Sequence, residues 1–428
     1  MKVLLDKWAI FFLAFGCFGI LFVMHPTTWL QTLIIISTSV LVIDDEFRSR
    51  YISLFKYSVF KSIAWPFLLW LAVAIAVALV HGKVSKFYFP ENEFRIFLSV
   101  AVLCAGVHLK SKTAFYYGLV AGAIAAAVWA VYDVYIVHTW RAQGPTNNPI
   151  HFGNLTALGA VLSLSVWLLA TDLRMKFRLL FLCGAVLYSF ASYASLTRSS
   201  GVLIFCILPL ALLPQKYLLD KKVTIGLCIA LIVGVCFIGF SKPLQHYFRL
   251  DELAAASNNS QRLDYERLTS NRANMWHASI LMFQEHPWSG VGPVGFTENF
   301  QLLIDEGRVQ DTYTHNQPHN DILYAASMGG VFKLLAYIAL ILGPFLFFYK
   351  RYKANPLGID RLFNVLGMQV VASFFLTGLT NSNFDLQIYS TTYAVLVCVL
   401  AKLSTLADSD AINVAEPSKP STPAIPSC

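Results

Sequence analysis

Apolar runs long enough to cross a lipid bilayer recur along the whole chain, and no other feature constrains its fold as strongly. A membrane-spanning helix needs about 17–25 predominantly apolar residues. Such runs lie near 8–24, 27–43, 63–81, 94–109, 113–138, 150–170, 177–195, 199–213, 222–240, 320–349, 363–380 and 385–404. The sequence therefore predicts an all-α, polytopic integral membrane protein with about 12 transmembrane helices. Only 13% of the 428 residues are charged, about half the share of a soluble domain.

Lysine and arginine set the expected orientation. With Lys2 and Lys7 in the cytoplasm, alternate loops hold Arg48, Arg50, Lys56 and Lys61, then Lys110 and Lys112, then Arg174, Lys176 and Arg178. The series continues through Lys216, Lys221 and Lys222 to Lys350, Arg351, Lys353 and Arg361. The opposite short loops hold only Lys83, Lys86, Arg95, Arg141 and Arg198. This is the positive-inside pattern, with both termini cytoplasmic, so the net charge of +8 reflects topology and gives no reason to invoke nucleic acid. The first apolar run is long for a signal-peptide core and is read as a retained helix. Seven of the eight cysteines fall within apolar runs and the eighth is Cys428, so no disulfide framework is indicated.

Four segments follow: spans one to nine over 1–240, a large polar outer loop over 241–318, spans ten to twelve over 319–406, and a tail over 407–428. The tail is rich in Pro, Ser and Ala, a composition expected to be disordered. The long outer loop is the chain's anomaly. Ser260 to Glu285 reads as an amphipathic helix with Leu263, Trp276, Ile280 and Phe283 on one side, stopped by His286-Pro287. Gly290 to Gly295 matches GxGxxG, but no strand precedes it and Pro293 lies inside it, so it reads as a tight turn seating the loop on the spans rather than as a nucleotide site.

The loop ends in Thr314-His-Asn-Gln-Pro-His-Asn-Asp321. His315 and His319 have HxxxH spacing, yet Pro318 between them disfavours the helix that a shared metal would need. His319 stands where the chain re-enters the bilayer, and an imidazole there is able to take a proton from a hydroxyl nucleophile. Asn320 and Asp321 either orient it or cap the next helix.

Two arginines are candidates for an anion site. Arg198 lies in Leu-Thr-Arg-Ser-Ser-Gly, 196–201, in a short outer turn; a charge near hydrocarbon is costly and usually has a partner or a task, though snorkelling is the plain alternative. Arg272 has Trp276 four residues on, in reach for cation–π stacking, and no acidic residue three or four positions away. Arg262 and Arg267 have acidic neighbours and read as solvated surface. Guanidinium forks bind phosphate oxygens bidentately, so two arginines and a histidine on the outer face suit a phosphate-bearing lipid.

At these residues the chain resembles the O-antigen ligase and polymerase superfamily of bacterial envelope enzymes. The resemblance rests on the Thr-Arg-Ser-Ser-Gly turn, the Arg272-x-x-x-Trp276 helix leading into His286-Pro-x-x-Gly-Val-Gly-Pro-x-x-Phe296, and Pro-His-Asn followed by Gly329-Gly330. Asn148-Pro-Ile-His-Phe-Gly153 adds to it, and the matching segments run from Arg141 to Gly330. Lys333 departs from the small or aromatic residue common at its position.

The resemblance implies a C-type glycosyltransferase-like fold in the inner membrane, with the long helical loop in the periplasm. It implies an O-antigen ligase that transfers a glycan from undecaprenyl diphosphate to a sugar hydroxyl of lipid A-core, inverting the anomeric carbon without a metal or other cofactor. His319 matches the family's catalytic histidine, and Arg198 and Arg272 match its donor-diphosphate arginines. Asn320, Trp276 and Arg141 are supporting candidates. An O-antigen polymerase with the same donor is the nearest alternative. A lipid-linked glycan transporter is the alternative of another class; it calls for charges through the bilayer midplane, where Asp133 is the main polar exception.

Overall fold

In the computed structural model of the chain, the described residues are 39, 45–56, 59–82, 90–104, 110–212, 272–310, 313–356 and 360–405. Expected spans 8–24, 27–43 and 222–240 and the tail lie outside them. So does the whole of the outer loop before Arg272. The described residues are all-helical, with no strand among them.

The helices, in chain order, are α1 (Asp45–Lys56), α2 (Lys61–Val80), α3 (Glu91–Leu98), α4 (Lys110–Val131), α5 (Pro149–Leu169), α6 (Met175–Ala194) and α7 (Arg198–Ile207). Then come α8 (Arg272–Glu285), α9 (Phe296–Asp305), α10 (Asp321–Ala354), α11 (Arg361–Gly378) and α12 (Gln387–Leu403). Among the described residues six helices are long and apolar enough to cross a membrane: α2, α4, α5, α6, α10 and α11. The chain is a multi-pass membrane protein.

Three expected spans take a different form. The run at 94–109 becomes α3 followed by a 3-10 helix, Ser99–Cys104. The Ser99 hydroxyl donates back to the Arg95 carbonyl at 2.9 Å, a bond that competes with the regular helical ladder and bends it. The run at 199–213 is α7 with one further turn, Pro209–Leu212, because a proline inside the run cannot continue the ladder. The last run is α12, seventeen residues long.

Burial separates centre from rim. In α5 and α11, 83% and 78% of the membrane-length window is buried, against 33% in α4 and in α6. The centre is therefore α5 and α11, joined by the almost wholly buried α12. The rim helices expose Ile124, Val128 and Val186, as a lipid-facing surface does. Asn148 caps α5 by accepting from the backbone N–H of Ile150 at 2.9 Å and of His151 at 3.3 Å, with Pro149 at the first helical position.

The two ends of the bundle differ. At one end arginines donate to carbonyls at helix C-termini. Arg178 Nε reaches Trp167 O at 2.9 Å, Arg361 Nη2 reaches Leu169 O at 3.3 Å, and Arg351 Nη2 reaches Ser404 O at 2.8 Å. Lys112 pairs with Asp172 at 2.9 Å there. The other end gathers the N-termini of α5, α7, α10 and α12 with the C-termini of α4, α6 and α11.

α10 is broken at Gly330, where φ is +63° and ψ −159°. The turn after α8 repairs the break. Val291 N donates to Ser327 O (2.8 Å), Gly292 N to Met328 O (3.1 Å), and Val331 N to Pro287 O (2.8 Å). A Cβ on Gly330 would lie 2.3 Å from the Trp288 carbonyl, and one on Gly290 2.4 Å from Ser327 O. Both glycines also have positive φ, which only glycine adopts without penalty. The GxGxxG stretch is thus a seating turn.

α8 corrects the predicted amphipathic face. Its packed side is Met275, Ala278, Ser279 and Met282, set against Phe296, Phe300 and Leu303 of α9 and Met328 of α10. Ile280 is exposed. The flexible methionines and small residues fit against three bulky side chains more closely than the Trp276, Ile280 and Phe283 side would.

Candidate active site

His319 sits one residue before α10, with φ +50°, a left-handed conformation that costs a non-glycine residue on the order of 1–3 kcal/mol. Its neighbours hold it there. The Trp276 indole N–H of α8 donates to the Pro318 carbonyl at 3.1 Å. Asn320 is the α10 N-cap, accepting from Ile322 N (3.0 Å) and Leu323 N (3.1 Å) through Oδ1. Its Nδ2 donates to Leu379 O at 3.2 Å, tying the site to the α11–α12 connection. Capping is therefore what Asn320 does. Asp321 is buried and accepts from Phe384 N at 3.2 Å.

The imidazole is half-buried, and burial is the main cause that holds its pKa below the ordinary histidine value. Arg272 and His315 lower it further by like charge, while a hydrogen bond with the Asn381 side chain pulls it up. Asn381 Nδ2 donates to Asn383 Oδ1 at 3.1 Å, which leaves its Oδ1 to accept from the imidazole N–H. Asn383 in turn donates to Phe374 O (3.0 Å) and Thr377 Oγ1 (2.9 Å). The result is a neutral, oriented imidazole at neutral pH, the state that accepts a proton. His315 turns edge-on to Phe300, ring centroids 5.3 Å apart. The HxxxH spacing falls on irregular chain, so the shared helical face it would need does not exist.

Arg272 is the first residue of α8 and half-buried. Burial lowers its pKa, though a guanidinium so far above neutrality stays cationic. Among the described residues Trp276 does not stack under it, contrary to the cation–π expectation, because the indole is turned to Pro318. Its charge acts on the His319 imidazole, and a half-buried guanidinium there favours an anion beside it.

Arg198 likewise opens α7 and is exposed. The turn before it is locked from several sides. Arg141 Nε donates to Ser195 O at 2.8 Å, and its Nη2 to Leu196 O (3.4 Å) and Thr197 Oγ1 (3.3 Å). Thr197 Oγ1 also donates to Pro149 O at 2.8 Å. Arg141 is a brace for the turn. Asp133, the polar exception of span five, is equally structural: Oδ2 accepts from Gln143 N and Gly144 N, both at 2.7 Å.

His319, Arg272, Trp276 and Asn320 form one group, and Arg198 with Arg141 another. They are joined through the core. Ser199 Oγ donates to Asn154 Oδ1 at 2.8 Å, and Asn154 Nδ2 to the Tyr389 hydroxyl at 3.2 Å. Tyr389 meets Phe374 edge-on at 6.0 Å, and Phe374 O holds Asn383. Sequence reasoning missed Asn154, Asn381 and Asn383. The signal for Asn381 and Asn383 was a mostly polar stretch, Thr380 to Asp385, between two apolar spans.

Residues 183–338, which contain Arg198, Arg272 and His319, match a family described as O-antigen ligase. The chain resembles that family over little more than a third of its length. It is similar to an O-antigen ligase of Escherichia coli (strain K12), with 29% identity over 227 residues, 50% of this chain and 52% of the relative. The chain thus spans about half the length of the curated relative it matches. The family segment covers Arg198, Arg272, Trp276, His319 and Asn320 and the turn that seats α8 on α10, while Arg141 precedes it.

Proposed function

We propose that the chain is a glycosyltransferase that moves an O-antigen glycan from undecaprenyl diphosphate to a sugar hydroxyl of lipid A-core, in lipopolysaccharide biosynthesis. The observation that carries this reading is a half-buried imidazole, held neutral, beside a half-buried guanidinium. The arginine-capped end of the bundle faces the cytoplasm, as the positive-inside rule requires. The His319 end then faces the periplasm of a bacterial inner membrane, with both termini cytoplasmic.

The reaction is a single displacement. The acceptor oxygen attacks the anomeric carbon from the side opposite the diphosphate, the carbon–diphosphate oxygen bond breaks, and the configuration inverts. His319 receives the hydroxyl proton as the new glycosidic bond forms. Arg272 and Arg198 offset the charge that develops on the leaving diphosphate, a preorganised contribution that grows toward the transition state. The proton passes from the imidazolium to the released diphosphate or to water. Asn381 orients the imidazole, Asn320 fixes the start of α10, and Trp276 holds the His319 segment against α8. No metal is required, because two guanidiniums supply the positive charge.

Purified protein in proteoliposomes, given lipid-linked O-antigen with and without lipid A-core, tests the reading. Glycan joined to lipid A-core is the expected product. A lengthened lipid-linked glycan, formed without lipid A-core, would replace the ligase reading with a polymerase. Movement of intact donor across the bilayer with no new bond would replace it with a transporter.

A further inference from the structure

A cavity of about 480 Å³ opens beside the His319 segment, and the proposed chemistry does not use it. Its walls are α3, the turn at 293–297, the start of α10 and residues 384–387. Its size falls within the roughly 300–1,000 Å³ of small-ligand sites.

The lining is polar and firmly held. Lys333 Nζ pairs with Glu93 Oε1 at 3.1 Å, both side chains less than a tenth exposed. The ammonium lies over the rings of Trp70 (5.0 Å) and Tyr324 (5.6 Å). The Tyr324 hydroxyl donates to Asp385 Oδ1 at 2.6 Å, and Asn92 Nδ2 donates to the Asp385 carbonyl at 2.6 Å. A buried ion pair is a weak source of net stability, so its presence on a cavity wall calls for another explanation.

The charges exclude the ligand of the arginine site. Three carboxylates (Glu91, Glu93, Asp385) face two cations (Arg95, Lys333), a surplus of one negative charge. Arg95 is paired with Glu91 and Lys333 with Glu93, so the lining offers a diphosphate no surplus of positive charge. Fixed carboxylate, amide and phenol groups, with the Tyr324 and Phe384 rings beside them, match instead a compact molecule rich in vicinal hydroxyls and with one apolar face. We infer that this cavity seats a sugar ring of the transferred or accepting glycan, uncharged or bearing an amino group, and presents it to His319. The placement agrees: Asn316 on the wall is three residues before His319, and Asp385 belongs to the connection whose Asn381 holds the imidazole.

This inference rests on the glycosyl-transfer reading, and the test separates the two. The full chain in nanodiscs is titrated with deacylated core oligosaccharide and, separately, with oligosaccharide released from the lipid-linked donor. Thr297→Trp and Asn316→Trp place bulk at exposed rim positions. Affinity for one of the oligosaccharides should fall about tenfold or more in both variants, and KM for the substrate that carries it should rise while kcat is kept. The oligosaccharide affected identifies the ring as acceptor or donor. Unchanged affinity for both oligosaccharides in either folded variant overturns the inference, as does wild-type protein that binds neither. Wild-type protein that binds an oligosaccharide in a Thr297→Trp-sensitive way, yet transfers no glycan, keeps the cavity and removes the transfer reading.

Discussion

Arginine serves opposite ends of this bundle in opposite ways. At the basic end Arg178, Arg351 and Arg361 donate to carbonyls at the ends of neighbouring helices, where a cation meets the negative end of the macrodipole. Arg361 is instructive, because it too opens a helix. Its guanidinium nevertheless reaches across to Leu169 O and Thr171 Oγ1. At the other end Arg198 stands at the N-terminus of α7, where the dipole opposes it, and Arg272 is half-buried in α8 beside His319. The same side chain is structural where the helix field welcomes it and suited to an anion where the field opposes it or an imidazole adjoins it. Arg141 lies between the cases: it sits at the site end but braces the 195–197 turn through carbonyls.

Breaking each arm of this comparison gives different losses. His319→Ala should have the largest effect, lowering single-turnover transfer by roughly 10²–10⁴-fold; retention within tenfold removes the assignment. Arg272→Lys should lower transfer by about 10²-fold or more, because an ammonium cannot reproduce the fork. Its thermal unfolding midpoint should stay at the wild-type value. Arg361→Gln should do the reverse. Losing the bonds to Leu169 O and Thr171 Oγ1 should reduce stability by about 1–3 kcal/mol in chemical denaturation, with turnover per folded molecule unchanged. Arg141→Ala should fall between, with transfer down by about tenfold as the Arg198 turn loosens, and with no shift in the pH profile set by His319.

Much of this fold was legible because hydrophobic length is a local property. The runs that became α2, α4, α5, α6, α10 and α11 needed only their own residues to be recognised. The candidate residues were legible for a related reason: a charge or imidazole at a span edge stands out against hydrocarbon. What stayed hidden depends on pairing across the chain. Asn154 meets Tyr389 across 235 positions and Lys333 meets Glu93 across 240, and no periodicity encodes either. Lys333 read as a departure from the family pattern; it is one half of a buried ion pair. The α8 face was misjudged because apolar residue type was weighed without the partner, and Phe296, Phe300 and Leu303 select the Met275–Met282 side.

The central claim is that a neutral imidazole and an anion-seeking guanidinium share one site, and titration of His319 tests it most directly. Protein carrying isotope-labelled histidine, assigned by loss of one signal in His319→Ala, is followed by NMR across pH in wild type and in Arg272→Gln. Burial first, then Arg272, holds the imidazole below its ordinary value. The wild-type ring should therefore titrate below the ordinary histidine value. Removing the guanidinium should move that titration upward. A His319 that titrates at or above the ordinary histidine value, or one indifferent to Arg272→Gln, would contradict the account.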